Sequence, residues 1–140
     1  GSEMCIETDQ SIKTTADIKG KRFAQTTGSD NELVAKKFGA TIVPQDQFQT
    51  TLDLVKQGRA QGTINAESAL LTYAKDNSLK GLKYRVLKNS EQQPAKISAL
   101  FNKKSTKLRD KVNQVLNQLR KDGTLEKLSQ KYFNKNITTK

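Results

Sequence analysis

The 140-residue sequence predicts an α/β fold, in which a parallel-rich sheet is flanked by helices and two further helices follow at the C-terminus. Short β-prone segments alternate with short helical patterns between residues 21 and 87, and this alternation is typical of parallel sheets covered on both faces. Two amphipathic stripes with no strand between them follow, over residues 108–133. Apolar residues make up 34% of the chain and fall in periodic blocks, which indicates a folded protein of about one domain.

The first strand and helix are predicted at residues 21–39. A β-prone segment over residues 21–27 follows the turn residue Gly20 and runs into a polar turn. Ser29 and Glu32 have the three-residue spacing of a capping box, and Gly39 follows the apolar stripe where glycine commonly ends a helix. A helix N-terminus is therefore expected directly after the strand.

The same cycle is then repeated. Residues 40–43 predict a second strand, Asp46 is the expected N-cap of a second helix, and Gly58 is expected to end it. Residues 62–65 predict a third strand, which is followed by a third helix from Ala66 to Ala74. These units predict a sheet whose strands are linked by helices.

The C-terminal third of the sequence changes in character. Residues 82–87 alternate as a fourth strand does, and residues 97–101 are expected to return as another strand. Beyond them, residues 108–119 form one amphipathic helical face, Gly123 closes that helix, and residues 125–133 form a second.

The net charge of +11 is concentrated near the C-terminus, where residues 103–140 carry 11 Lys and Arg but 3 Asp and Glu. A basic helix can bind nucleic acid, but such a site needs stacking aromatics or a base-reading motif among its charges. The aromatic residues there, Tyr132 and Phe133, belong to an apolar stripe. A solvated basic face is therefore favoured, and no nucleic-acid partner is expected.

The chain has one cysteine, Cys5, and no histidine. This composition excludes an intramolecular disulfide and leaves no partners for a Cys/His zinc site or a Cys-His nucleophilic pair. Met4 and Glu3 do not match the small residue and apolar stretch that precede a lipoprotein cleavage site, so we interpret Cys5 as a structural or incidental thiol. No phosphate loop, nucleophile elbow or metal-ligand spacing occurs, so we expect no enzymatic activity, no cofactor and no metal.

Six fragments carry a family resemblance because they occur in one order and at one spacing. They are Ala16-Asp17-Ile18-Lys19-Gly20-Lys21, Thr27-Gly28-Ser29, Leu54-Val55-Lys56-Gln57-Gly58-Arg59, Gly62-Thr63-Ile64-Asn65, Lys121-Asp122-Gly123-Thr124-Leu125 and Lys131-Tyr132-Phe133. Together they resemble the polar-amino-acid solute-binding proteins, family 3 type, of bacterial ABC importers. The version with Gly62-Thr63-Ile64-Asn65 is most similar to the cystine-type branch.

The resemblance implies a periplasmic-binding-protein type II fold, whose two lobes close on an amino acid. Residues 1–9 are then a tag remnant and crossover segment, residues 10–90 are ligand-binding lobe 2, and residues 91–140 are the return crossover and C-terminal helices that normally pack on lobe 1. Most of lobe 1 is expected to be absent from these 140 residues. The orphan helices are then expected to fold back onto their own lobe, to swap between chains or to self-associate into a dimer.

The function implied by the resemblance is binding of a polar amino acid, such as cystine or cysteine, for delivery to the membrane permease of an ABC importer. The location implied is extracytoplasmic, with a lipid anchor on the full-length protein and an export signal that is not in this chain. Two alternatives stay open: a ligand-sensing domain of a membrane receptor on the same fold, and a truncated product that binds no ligand.

The turn before the first helix is the expected anion site. It leaves the backbone N–H groups of Ser29 and Asp30 pointing outward with the positive end of the helix dipole behind them, which suits a carboxylate, although Ser29 also caps its own helix. Polar residues at the C-terminal ends of strands are expected to line the same cleft. The candidate ligand-binding residues are Gln25, Thr26, Thr27, Gly28, Ser29, Asp30, Asn65, Ala66 and Glu67.

The resemblance also implies an acidic residue for the substrate ammonium, at the position where this sequence has Ala66. Glu67, one residue further on, could take that role. A glutamate in the first turn of a helix also favours the helix dipole, so its presence has an equally good structural explanation.

Overall fold

The computed structural model describes residues 3–8, 12–93 and 98–138, and the chain divides into two compact units, residues 1–95 and 96–140. The first unit contains the strands β1 (Glu3–Glu7), β2 (Arg22–Thr26), β3 (Thr41–Gln45), β4 (Gly62–Ala66) and β5 (Lys83–Val86). Its helices are α1 (Asp30–Lys37), α2 (Phe48–Lys56) and α3 (Glu67–Asp76), with a short 3-10 helix at Thr15–Ile18. The second unit contains α4 (Thr106–Lys121) and α5 (Thr124–Phe133).

The five strands of the described part form one mixed sheet in the order β3-β2-β4-β1-β5. β2 runs parallel to β3 and β4, whereas β1 runs antiparallel to both β4 and β5. The predicted α/β fold is therefore confirmed, with two parallel and two antiparallel strand pairings in the described sheet. The sequence did not predict β1, which occupies an interior position of the sheet.

The predicted helix ends are confirmed where glycine defines them. Gly39 and Gly58 follow α1 and α2 with φ of 79° and 69°, which is the left-handed conformation that glycine adopts without steric cost. The expected cap of α2 at Asp46 is wrong, because Gln47 is the N-cap and its side chain makes no capping hydrogen bond.

The strand expected at residues 97–101 is also not found where the structure can test it. Residues 98–101 have no regular secondary structure, while residue 97 lies outside the described residues. The segment has apolar side chains suited to a strand, but a strand needs a partner edge for its backbone hydrogen bonds.

The core of the first unit lies on both faces of the sheet. Neighbouring residues Phe23 and Ala24 of β2 belong to different apolar clusters, as do Cys5 and Ile6 of β1, because successive side chains of a strand point to opposite faces. α1 contributes to the cluster of Phe23 and Cys5, and α2 and α3 contribute to the clusters of Ala24 and Ile6. The sheet is therefore covered by α1 on one face and by α2 and α3 on the other.

The second unit is a helix pair joined at Gly123, whose φ of 78° provides the left-handed turn between α4 and α5. The tail folds back on α5, where the buried Ser129 Oγ donates to the Lys135 carbonyl (2.6 Å) and accepts from Ile137 N–H (2.8 Å). The apolar stripe of α4 includes exposed Leu108, Val115 and Leu116. None of the helices in the described ranges has the length and apolar character needed to cross a membrane.

Candidate functional site

The candidate site is the crevice at the carboxyl ends of β2 and β4. From β2 the chain passes through α1 to β3 on one side, and from β3 it passes through α2 to β4 on the other side of β2. This reversal makes the space beyond β2 and β4 the topological switch point, where ligands of open α/β sheets bind. The two turns meet there, because Asn31 Nδ2 lies 3.5 Å from Asn65 Oδ1.

The turn from β2 to α1 is held to the neighbouring strand. Thr27 donates its backbone N–H (2.9 Å) and its hydroxyl (3.3 Å) to the Gln45 carbonyl of β3. Gly28 follows with a φ of 73°, which a side-chain-bearing residue rarely adopts. Thr27 and Gly28 are both exposed, so they lie at the surface of the crevice.

Capping of α1 is partly as predicted. Ser29 is the N-cap, and its Oγ accepts from Glu32 N–H (3.2 Å). The Glu32 carboxylate accepts from Gly28 N–H (2.7 Å) rather than from Ser29, while the Ser29 N–H donates to the Thr26 carbonyl (3.2 Å). The expectation that the Ser29 amide points outward as a free donor is therefore wrong, because the tight turn uses that amide internally.

The unused donors of α1 lie one residue further along. Among the described residues, the backbone N–H groups of Asp30 and Asn31 have no hydrogen-bond acceptor. They stand at the positive end of the helix dipole. The dipole alone stabilises an anion there by about 0.3–1 kcal/mol, and direct hydrogen bonds add to this. Asn31 was not among the residues predicted from the sequence, although its place in the first turn of a predicted helix could have indicated it.

The Glu32 carboxylate lies near this end of α1 and has its own hydrogen-bond donors. The Lys36 ammonium donates to this carboxylate at 2.5 Å and, together with the Gly28 amide, holds the pKa of Glu32 below its ordinary value. The carboxylate is thus ionised, and each of its oxygens already accepts a hydrogen bond. Its charge is directed to Gly28 and Lys36, and the amides of Asp30 and Asn31 stay available to a ligand.

Gln25 and Thr26, which the sequence predicts as cleft-lining residues, are less exposed than the turn residues that follow them. Gln25 is fully buried, and its amide, oriented to match its surroundings, donates to the Ile64 carbonyl (2.9 Å) and accepts from Ile64 N–H (2.7 Å). Its side chain therefore bonds to the backbone of β4. Thr26 is half-buried, and its Oγ1 has no hydrogen-bond partner among the described residues.

The second turn joins β4 to α3. Asn65 Oδ1 accepts from Ala66 N–H (2.8 Å) in addition to facing Asn31. Ala66 ends β4 and serves as the N-cap of α3 without a side-chain capping bond, and Glu67 is the first helical residue with 9% of its surface exposed. Asn65 and Ala66 thus border the crevice, while Glu67 is largely buried.

Curated relatives match the chain over almost its whole length. It is 39% identical over 130 residues to a protein of Haemophilus influenzae described as a probable amino-acid ABC transporter-binding protein. The match covers 93% of this chain and 49% of that relative. It is 32% identical over 127 residues to the L-cystine-binding protein TcyA of Bacillus subtilis, covering 91% of this chain and 46% of that protein. The chain therefore spans about half the length of the curated relatives it matches.

Solved structures agree with the sequence relatives. The L-cystine solute receptor of Neisseria gonorrhoeae, in its unliganded open conformation, superposes with a TM-score of 0.71 and 35% identity, covering 100% of this chain and 58% of that receptor. A family model for bacterial extracellular solute-binding proteins, family 3, matches residues 20–135. This match extends over most of the chain, and the chain belongs to the family 3 bacterial extracellular solute-binding proteins.

Proposed function

We propose that this chain supplies one ligand-contacting lobe of an amino-acid-binding protein that serves an ABC importer. The observation that carries the proposal is the pair of unused amides, those of Asp30 and Asn31, at the switch-point crevice between β2 and β4. The chain spans about half of its curated relatives. We therefore infer that residues outside these 140 complete the cleft in the whole protein, as a first lobe.

The ligand group that fits the two amides is a carboxylate. A carboxylate has two acceptor oxygens and a negative charge, and hydrogen bonds to a charged group contribute about 1.5–3 kcal/mol each. The turn already neutralises its own acid, because Glu32 is held by Lys36 and Gly28. The candidate set of Thr26, Thr27, Gly28, Ser29 and Asp30 then forms the wall around the carboxylate, in which Ser29 acts through capping.

The ammonium of an amino acid needs an acceptor in the same crevice, because burying an unpaired charge is costly. Glu67 is the acid that follows directly after β4, and Asn65 and Ala66 precede it. We propose that Glu67 takes this role in the closed cleft, with Asn65 oriented by Asn31. Ala66 is uncharged, so substitutions at Ala66 and at Glu67 can tell experimentally which position holds the ammonium.

The proposed substrate is a polar amino acid, with cystine or cysteine as the first candidates. The Bacillus relative is named an L-cystine-binding protein and the Neisseria structure is an L-cystine receptor, and these names support the choice. The proposed partner is the membrane permease of an ABC importer, reached from an extracytoplasmic location with a lipid anchor on the full-length protein. Binding and release, without a chemical step, are the proposed activity.

The carboxylate site can be tested by removing one backbone donor without disturbing the helix. Asp30 is the first helical residue, where proline is well tolerated, and Ser29 before it is extended (φ −81°, ψ 154°), as a residue before proline must be. Asp30→Pro therefore deletes the N–H, whereas the matched variant Asp30→Ala keeps the N–H and removes the side chain. The readout is NMR titration of the ¹⁵N-labelled chain with arginine, glutamine and cystine.

We expect weak binding that perturbs the amides of residues 28–31 and 65–67. Asp30→Pro should weaken it by about 10-fold, which corresponds to one charged hydrogen bond, and Asp30→Ala should not. Amino-acid amides, which lack the carboxylate, should leave the α1 amides unperturbed. Equal binding by the proline and alanine variants would overturn the assignment of the Asp30 amide.

A further inference from the structure

We propose that Gln25 is a positioning residue, which sets the separation of the two turns of the crevice by bonding β2 to β4 through its side chain. The inference rests on the proposed function in one respect, namely that these turns are the ones that contact the ligand. It adds a determinant of crevice geometry that lies below the ligand-facing surface. The relevant contacts join Gln25 to Ile64, and Asn65 to Asn31.

The backbone pairing of β2 with β4 is short. Within these two fully described strands, a single ladder position pairs them, with Phe23 opposite Gly62. β2 pairs with β3 over its whole length, from Arg22 opposite Thr41 to Thr26 opposite Gln45. Backbone pairing alone therefore fixes β2 firmly to β3 but leaves its carboxyl end weakly tied to β4.

At the carboxyl end of β2, the Gln25 side chain takes the place of the backbone hydrogen bonds that would otherwise join β2 to β4. Its amide donates to the Ile64 carbonyl and accepts from the Ile64 N–H, at 2.9 and 2.7 Å, which is the donor and acceptor pair that a strand backbone would present. Gln25 and Ile64 are both fully buried. Hydrogen bonds in such surroundings are stronger than in water, and leaving either group of Ile64 unpaired is costly.

The two hydrogen bonds act directly on the site. Ile64 immediately precedes Asn65, whose Oδ1 faces Asn31 at 3.5 Å, and Gln25 lies two residues before Thr27 at the start of the other turn. Because both polar atoms of its buried amide are bonded to Ile64, the Gln25 side chain holds the two strands at one separation. The distance between the donors of α1 and the end of β4 is therefore set by Gln25 rather than by a regular ladder.

The opposite end of the strand pair offers a matched control. There Gln61 N–H donates to the Arg22 carbonyl (2.8 Å) and Gln61 Oε1 accepts from Arg22 N–H (2.8 Å). Gln61 also joins β2 to the start of β4 through a side-chain amide, but it lies at the amino ends of the strands, away from the crevice. Gln61→Met should cost stability without changing the crevice.

The experiment uses the 140-residue chain without ligand. In the wild type, a scalar coupling across the hydrogen bond between Gln25 Nε2 and the Ile64 carbonyl carbon should be observed. Gln25→Glu gives the sharpest signature, because a protonated carboxyl can both donate and accept as the amide does, whereas a carboxylate can only accept. Gln25→Met has neither capacity at any pH.

We expect Gln25→Glu to keep the Asn31–Asn65 contact at low pH and to lose it as the new carboxyl ionises, because the carboxylate still accepts from Ile64 N–H but can no longer donate to the Ile64 carbonyl. In Gln25→Met, which offers no acceptor, Ile64 amide exchange should also accelerate by about 10-fold or more. Gln25→Met should show the loss at every pH, and Gln61→Met should leave the Asn31–Asn65 contact and the residual dipolar couplings of residues 30, 31, 65 and 67 unchanged.

Three outcomes would overturn the proposal: no coupling between Gln25 and Ile64 in the wild type, a folded Gln25→Met chain with wild-type couplings in both turns, or a Gln25→Glu chain without pH dependence. The first needs no variant to fold. These readouts are independent of ligand, so a wild type that shows them but binds no amino acid would contradict the proposed function and not the role of Gln25.

Discussion

Arg85 of β5 and Glu91 form an ion pair with two parallel hydrogen bonds, from Nη1 to Oε2 at 2.8 Å and from Nη2 to Oε1 at 3.0 Å. The Glu91 carboxylate also accepts from Lys88 N–H (3.0 Å). The Arg85 guanidinium and the Lys88 amide hold the pKa of Glu91 at about 2, below its ordinary value of 4.5. The ion pair thereby holds the segment after β5 against this edge strand of the sheet.

The pKa of Glu91 predicts a stability loss in acid. Because its pKa is lower in the folded state than in the unfolded chain, the carboxylate stabilises the fold above pH 4.5, and this contribution is lost as the pH falls from 4.5 to about 2. Glu91→Gln should lower the free energy of unfolding at pH 7 by about 1–3 kcal/mol, since a charged hydrogen-bonded pair is broken. Urea unfolding at pH 7 and pH 2.5 measures both effects.

The matched control for this prediction is Glu126→Gln, an exposed carboxylate of α5. The stability of the Glu91→Gln variant should decline less steeply between pH 4.5 and 2 than that of the wild type, whereas the control should follow the wild type. Parallel declines for the wild type and Glu91→Gln would contradict the prediction.

Gly62 of β4 lies close to residues of both neighbouring strands, β2 and β1. A Cβ at this position would lie 2.8 Å from Phe23 Cζ and 2.9 Å from the Ile6 carbonyl oxygen, and the latter is backbone that cannot move aside. Gly62→Ala should therefore lower the free energy of unfolding by about 1–3 kcal/mol, as overpacking does. Thermal unfolding measures the change.

A double-mutant cycle separates the two clashes at Gly62. Phe23→Leu removes the ring carbon that the new Cβ meets, so Gly62→Ala should cost less in a Phe23→Leu background than alone. Part of the cost should remain, because the Ile6 carbonyl is unchanged. Strict additivity of the two substitutions would show that the Phe23 ring is not the obstacle.

The elements that sequence analysis predicted well are those with local signals. The capping of α1 by Ser29 and its end before Gly39 are set by residues three or four positions apart, and the structure has both. β1 was missed because its identity depends on pairing with β4 and β5, which lie far away in sequence. The expected strand at residues 97–101 failed for the related reason that an apolar segment indicates a strand only where it has a partner.

In the candidate site, too, the sequence predicts the features that depend on local signals and misses those that depend on distant contacts. The crevice position follows from the order of strands and helices, so the sequence could indicate the turn after β2 and the end of β4. The role of Gln25 could not be predicted, because its partner Ile64 is 39 residues away and the bond depends on a gap in the ladder. The use of the Ser29 amide by Thr26 likewise depends on the three-dimensional path of a tight turn.

The Cys5 thiol is expected to be unreactive in the native protein. It is buried in β1, and burial raises the pKa of its thiol from 9.0 to about 12. The thiolate is the reactive form, so its fraction at pH 8 should be lower by about 10³-fold than for an exposed cysteine, at one pKa unit per tenfold. Reaction with a thiol-specific disulfide reagent, with the urea-unfolded chain as control, measures this, and fast native labelling would contradict it.

The exposed apolar stripe of α4 predicts self-association. Leu108 is 57% exposed and Leu116 is 42% exposed, and contiguous apolar surface of this kind tends to be covered in water. Leu116→Glu should reduce association seen by sedimentation velocity, whereas Gln118→Glu, which adds the same charge at an exposed polar position of α4, should not. A chain cut after Leu100 should be monomeric. A strictly monomeric intact chain with freely proteolysed helices would contradict the prediction.

Substitution at the end of β4 tests the proposed ammonium site. Glu67→Gln removes the negative charge next to the crevice and should weaken arginine and glutamine binding by about 10-fold, because a charged hydrogen bond is replaced by a neutral one. Ala66→Asp instead places a new carboxylate at the last residue of β4, with the neutral Ala66→Asn as its control. NMR titration of the chain measures all three, and methyl esters of the amino acids, which keep the ammonium, separate this site from the carboxylate site. If Glu67→Gln binds as the wild type does while Ala66→Asp greatly strengthens binding, Glu67 serves only the first turn of α3 and the chain lacks a carboxylate for the ammonium.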